Sequence, residues 1–139
     1  MGYTHYFNKT RDATPAEWAE IVKAVAAIIR DTDTPLAGAD GTGNPKITSE
    51  AIVLNGRSPN EFETFALSRV GGGEDWFCKT SRKPYDTVVT AILTVVDNFA
   101  PGAWTITSDG DPEEWVGGHA LAVESLSGIW KGWPLKPVF

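Results

Sequence analysis

Seven consecutive residues, Lys79-Thr80-Ser81-Arg82-Lys83-Pro84-Tyr85, place three cations and two aliphatic hydroxyls just ahead of a segment that reads as a helix. Cations there oppose the positive end of the helix dipole and cost stability unless something compensates them. An anion held between the first free N–H groups and Lys79, Arg82 or Lys83 reverses that sign, which is the chemistry of a phosphate site. Two other readings stand beside it. Asp86, in the first helical turn, could neutralise the cations internally, and a charge run can simply be a solvated loop.

Other residues have types suited to chemistry. His5, among Tyr3, Thr4 and Tyr6 in an expected strand, could move a proton or bond a phosphate near neutrality, or be a strand histidine satisfied by a neighbour. Glu63 could act as a base or be a solvated strand residue. Ser108-Asp109-Gly110 ends an expected strand just before a helix, where small polar residues line ligand crevices or form a turn and cap. Asp40-Gly41-Thr42-Gly43 lacks the Gly-Lys-Ser/Thr ending of a phosphate loop, and Asp31, Asp33 and Asp40 do not space as a calcium loop. His119 reads as a core histidine on a helix face. Cys78 reads as a buried strand residue, although neighbouring cations could lower its pKa.

The elements that must position these groups follow from pattern. Residues 2–8 alternate as a strand, with Tyr3, His5 and Phe7 on one face. Thr14-Pro15-Ala16-Glu17 is a capping box with proline at the first helical position, and Trp18, Ile21, Val22, Val25, Ile28 and Ile29 follow at helical spacing. The segment 31–50, rich in Gly, Asp, Thr and Pro, reads as a long loop that is functional or mobile. Residues 51–67 read as a hairpin with an extended loop, Gly71–Gly73 as a flexible connection, and Trp76–Cys78 as a further strand. Pro84 opens a helix apolar around most of its circumference, expected to be the central core helix and stopped by Pro101-Gly102. A strand at 103–107 with Trp104 and Ile106 inward comes next. A third helix, capped by Asp111-Pro112-Glu113-Glu114, is expected to bury Trp115, His119, Val123 and Leu126. The last residues, 129–139, form an extended Trp- and Pro-rich tail lying against the body or a partner. The sum is one α+β domain over 1–139, a mixed β-sheet of about five strands covered by three helices.

At 139 residues the chain has the length of one domain with one core. A net charge of −6 argues against a duplex nucleic-acid coat but not against a small anionic ligand, which senses only local charge. One cysteine allows no intrachain disulfide, no Cys/His cluster suggests zinc, and no cofactor is expected. The N-terminus lacks a signal peptide and no apolar run reaches the length of a membrane span, so a reduced, cytoplasmic setting is expected, without membrane contact.

The blocks Met1-Gly2-Tyr3-Thr4-His5-Tyr6, Leu54-Asn55-Gly56, Glu63-Thr64-Phe65, Phe77-Cys78-Lys79-Thr80, Arg82-Lys83-Pro84-Tyr85-Asp86 and Ser108-Asp109-Gly110 make the chain resemble a family of small, largely uncharacterised proteins of bacteriophages and bacteria. The stretch between Ile47 and Glu63 is shorter than in longer members, and the aromatic tail is individual to this chain. The resemblance implies a phage-encoded, anti-defence sponge that sequesters a nucleotide immune signal, such as a cyclic dinucleotide or an ADP-ribose derivative, in the host cytoplasm. In that role Tyr3, Tyr6 and Tyr85 would stack on a base, Lys79, Arg82 and Lys83 would hold phosphate, and Thr80, Ser108 and Asp109 would complete the site. Homo-oligomerisation through the Trp-rich tail would deepen the pocket. One alternative is a metal-independent phosphodiesterase with His5 and Glu63 as acid and base. Another is a structural or protein-interaction domain.

Overall fold

The fold is that of a computed structural model, which describes residues 2–71, 76–129 and 134–139. The expectations for Gly72, Gly73 and the tail's Trp130 and Trp133 lie outside the described residues.

Strand β1 (Thr4–Lys9) leads into helix α1 (Pro15–Asp31). The expected capping box is present: Glu17 N–H donates to Thr14 Oγ1 at 3.1 Å, and the Glu17 carboxylate accepts Thr14 N–H at 2.9 Å. Trp18, Ile21, Val25 and Ile28 turn inward as their spacing requires. The stretch read as a long loop carries more order than its composition suggests. It holds β2 (Leu36–Ala37), a 3₁₀ turn at Ala39–Gly41 and β3 (Lys46–Ile47), and both strands pair with β4 (Ala51–Gly56). Pairing to a neighbouring strand satisfied backbone groups that local composition left open.

Strand β5 (Phe65–Ser68) pairs antiparallel with β4, so Phe62 and Glu63 belong to the connecting loop and Glu63 is not a strand residue. Then come β6 (Phe77–Lys79), the helix α2 (Asp86–Phe99), β7 (Trp104–Ser108), a 3₁₀ turn at Pro112–Trp115 and α3 (Val116–Leu126). The α+β class is as expected, but the strands divide into two antiparallel sheets instead of one mixed sheet. One has the order β6–β1–β7; the other is built around β4 with β2, β3 and β5.

Helix α2 is the core element: every residue from Val88 to Val96 is buried. It packs against α1, α3 and β7. Trp115 and Leu126 are buried as expected and His119 is half-buried, but Val123 departs from the expected inward face. Val123 is 44 % exposed, while Gly118, Ala122 and Ser125 turn inward. The 3₁₀ turn before α3 advances three residues per turn instead of 3.6, which rotates the following helix face. The small inward residues permit a close approach, since a Cβ on Gly118 would stand 2.0 Å from Thr90 Oγ1.

Candidate functional site: a buried histidine relay beneath a cationic turn

Strand β1 lies between β6 and β7, with Thr4 opposite Lys79, and His5 opposite both Cys78 and Ser108. The first strand and the basic segment, 74 positions apart from His5 to Lys79 in the chain, are therefore neighbours in space. Strand alternation sends His5 inward. It is fully buried, with Nε2 2.6 Å from Asp86 Oδ1 and Nδ1 2.7 Å from Ser108 Oγ. An ionised Asp86 only accepts, so a neutral ring carries its proton on Nε2 and accepts the Ser108 hydroxyl at Nδ1. Ser108 Oγ in turn accepts Gly110 N–H at 2.8 Å, and the Thr80 hydroxyl donates to the same Asp86 oxygen. Two strands, the loop after β6 and the first turn of α2 are thus joined through one imidazole.

Aromatic rings enclose this relay. Tyr3 and Trp115 meet the His5 ring edge-on at centroid distances of 5.1 and 5.0 Å. Burial, followed by the nearby Asp86 charge, raises the Tyr3 phenol to about 12. A Cβ on Gly110 would come within 2.3 Å of the Tyr3 hydroxyl, so the turn after β7 closes over Tyr3 only because that position is glycine.

The cationic segment forms a tight turn above the relay. Lys83 N–H donates to Thr80 O at 3.0 Å, and the two central residues, Ser81 (φ 53°) and Arg82 (φ 56°), both lie in the left-handed region that disfavours side chains. Ser81 N–H donates to Tyr3 O at 3.2 Å, anchoring the turn on β1. Arg82 lies 4.0 Å from the Tyr3 ring centroid and pairs with Glu114 at 2.8 Å, an exposed pair that lowers the Glu114 carboxyl and raises the guanidinium. Lys79 and Lys83 have no ion-pair partner among the described residues, and Lys79 Nζ lies 5.8 Å from the Phe62 ring centroid.

The expected site residues therefore separate into groups. His5, Thr80 and Ser108 converge on Asp86. Asp86 was read as a possible internal partner for the cations, yet its carboxylate bonds to His5 and Thr80, and Glu114 compensates Arg82. Asp109 accepts Thr4 N–H at 3.1 Å, and its own N–H donates to Thr4 O, which fixes the end of β7 on β1. Tyr3 and Tyr85 are core residues and offer no face to a ligand. The Tyr85 hydroxyl donates to Glu63 O at 2.6 Å, and burial pushes its phenol up. Tyr6 is half-buried on the outer face of the sheet. Glu63 holds structure, its carboxylate accepting Lys79 N–H at 2.7 Å.

Several contributing residues were not singled out as site residues by sequence reasoning. Asn55 is fully buried and braces the loop that delivers Glu63. Its Nδ2 donates to Phe62 O at 2.9 Å, and its Oδ1 accepts Phe62 N–H at 3.0 Å. The signal was a polar residue ending an apolar strand run. Trp115 and Glu114 come from the 3₁₀ turn, and nothing local tied them to His5 or Arg82. Cys78 is buried as expected, its thiol pushed up to about 12 by burial.

Among the described residues no group of three His, Cys, Asp or Glu side chains could hold a metal ion, and no helix is long and apolar enough to cross a membrane. Fold and site together define an α+β protein of two antiparallel sheets, with a buried Ser–His–Asp hydrogen-bond chain under a cationic turn. Comparison with protein-family models, with curated proteins and with solved structures gives no match.

Proposed function

We propose that the protein binds a small phosphate-bearing ligand of the nucleotide-signal class, a cyclic dinucleotide or an ADP-ribose derivative, at the turn Lys79–Lys83. Sequestration of such a signal, the sponge role implied by the resemblance to phage proteins, is the biological reading. The observation that carries it is the pair Lys79 and Lys83, two cations without carboxylate partners among the described residues, on either side of a turn whose central residues both hold left-handed backbone. In a chain of net charge −6 such a concentration attracts an anion locally. Strained backbone of this kind, at a cost of roughly 1–3 kcal/mol per residue, gathers at ligand clamps and active sites.

Binding finds more support than cleavage. The phosphodiesterase reading needs His5 and Glu63 to exchange protons with a ligand. Yet His5 is fully buried with both nitrogens engaged, and the Glu63 carboxylate holds the Lys79 amide. The relay instead fixes the shape of the turn through Thr80 and Asp86.

A thermal-shift screen against cyclic dinucleotides, ADP-ribose derivatives and inorganic phosphate tests the reading, with mass spectrometry of the ligand recovered after heat denaturation. A stabilised protein that returns intact ligand supports sequestration, and Lys79→Ala with Lys83→Ala should abolish the shift. Altered ligand favours the phosphodiesterase; no shift with any of the three removes the basis for a phosphate site.

A further inference from the structure

The relay and the cationic turn leave one surface unexplained: the outer face of the β6–β1–β7 sheet. Residues opposite one another in an antiparallel pair share a face. Tyr6 is opposite Phe77, and Thr4 is opposite Lys79, so Tyr6, Phe77 and Lys79 all project from the side away from His5 and Cys78. Phe77 is 42 % exposed and Trp76 41 % exposed. Their rings meet edge-on at 4.9 Å, and Trp76 also lies 6.3 Å from Tyr6 with the two planes inclined by only 34°. Three aromatic rings, Trp76 and Phe77 exposed and Tyr6 half-buried, therefore form a connected surface on the outer side of the sheet. Thr105 and Thr107, opposite Asn8 and Tyr6 on β7, continue this face with short exposed side chains.

A cation stands at one end of the rings. Phe77 and Lys79 are two positions apart on one strand, so their Cα atoms are separated by about 7 Å along it. That distance is on the scale of the sugar that separates a base from its phosphate in a nucleotide. Aromatic faces accept any base by stacking, and the Lys79 ammonium, without a carboxylate partner among the described residues, is left to meet the phosphate. The two tyrosines buried in the core cannot serve as that stacking surface.

We infer that Tyr6, Trp76 and Phe77 form the base-stacking platform of a nucleotide site whose phosphate end is Lys79. This rests on the phosphate-binding reading above and deepens it by naming the face that takes the base. The ligand class is a mononucleotide or a compact dinucleotide. An extended polyanion is disfavoured by the chain's net charge of −6.

The test compares AMP, adenosine, inorganic phosphate and a short oligoadenylate by calorimetric titration of the full chain, with Phe77→Ala, Trp76→Ala, Phe77→Tyr and Lys79→Ala variants checked for folding by circular dichroism. AMP should bind between about five- and 150-fold more tightly than phosphate, the range one stacked base supplies. Phe77→Ala and Trp76→Ala should remove about tenfold of AMP affinity and leave phosphate binding unchanged, while Phe77→Tyr should retain AMP affinity. AMP affinity that depends on Lys79 but not on either aromatic residue overturns the platform and spares the phosphate site. Absence of binding by both AMP and phosphate overturns both. An oligoadenylate that binds far more tightly than AMP overturns the small-ligand form in favour of single-stranded nucleic acid.

Discussion

His5 Nε2 lies 2.6 Å from Asp86 Oδ1, and this contact ties the middle strand of one sheet to the first turn of the central helix. Because Thr80 and Ser108 complete the same chain, removal of the carboxylate strands an imidazole nitrogen and a hydroxyl in a closed interior. Asp86→Ala should therefore cost about 1–3 kcal/mol for each buried group left unpaired. Asp86→Asn, which keeps the shape and can still accept one bond, should cost less. Urea denaturation of the two variants measures the difference, and equal losses would contradict the relay.

Asn55 offers a second test of a buried polar group. Asn55→Leu should destabilise by about 1–3 kcal/mol through the unpaired Phe62 amide and carbonyl. It should also loosen the loop that holds Glu63 against Lys79. Hydrogen exchange at the Lys79 amide, protected by Glu63 in the parent, should quicken.

Glycine substitutions separate crowding from backbone freedom. A Cβ on Gly118 would meet Thr90 Oγ1 at 2.0 Å and the Ala91 amide nitrogen at 2.9 Å, so Gly118→Ala must spread α2 and α3 and should cost about 1–3 kcal/mol. Gly128→Ala has nothing within 4 Å of the added carbon and should change stability by no more than about 0.5 kcal/mol. Thermal unfolding of the pair gives the comparison directly.

Cys78 supplies a pH-dependent readout. Burial disfavours its thiolate and lifts the thiol from an ordinary 9.0 to about 12, so the folded chain holds a proton that the unfolded chain releases. The contribution to stability is complete below about pH 9 and is lost as pH rises toward 12. A thiol reagent at pH 8 should modify the native protein slowly and the urea-unfolded protein quickly; equally fast reaction would show Cys78 to be accessible.

At low pH the sign is opposite. The Arg11 guanidinium bonded to its carboxylate lowers Glu17 from 4.5 to about 2, and the Thr14 amide adds to the effect. What this carboxylate contributes is present above about pH 4.5 and is lost as pH falls through about 2. Glu17→Gln should flatten the acid limb of the stability profile between those values, and an unchanged limb would show that the pair contributes nothing measurable.

Local rules made part of this protein legible from its residues alone. The Thr14 capping box, the apolar stripe of α1 and the nearly all-round apolar circumference of α2 are set by hydrogen bonds and side-chain periods that span a few positions, so they are legible without the rest of the chain. The cationic run, the burial of Cys78 and the shared face of Tyr3, His5 and Phe7 were legible for the same reason, but not that this face turns inward. The partners were not. His5 meets Asp86 across 81 positions and Ser108 across 103, and those meetings depend on the registers of β1 with β6 and β7, which a shift of one residue would reverse. The same registers sent Tyr3 into the interior and set Tyr6, Phe77 and Lys79 on one outer face. Residue types and local periods specified which groups were present, and long-range strand pairing decided which of them meet.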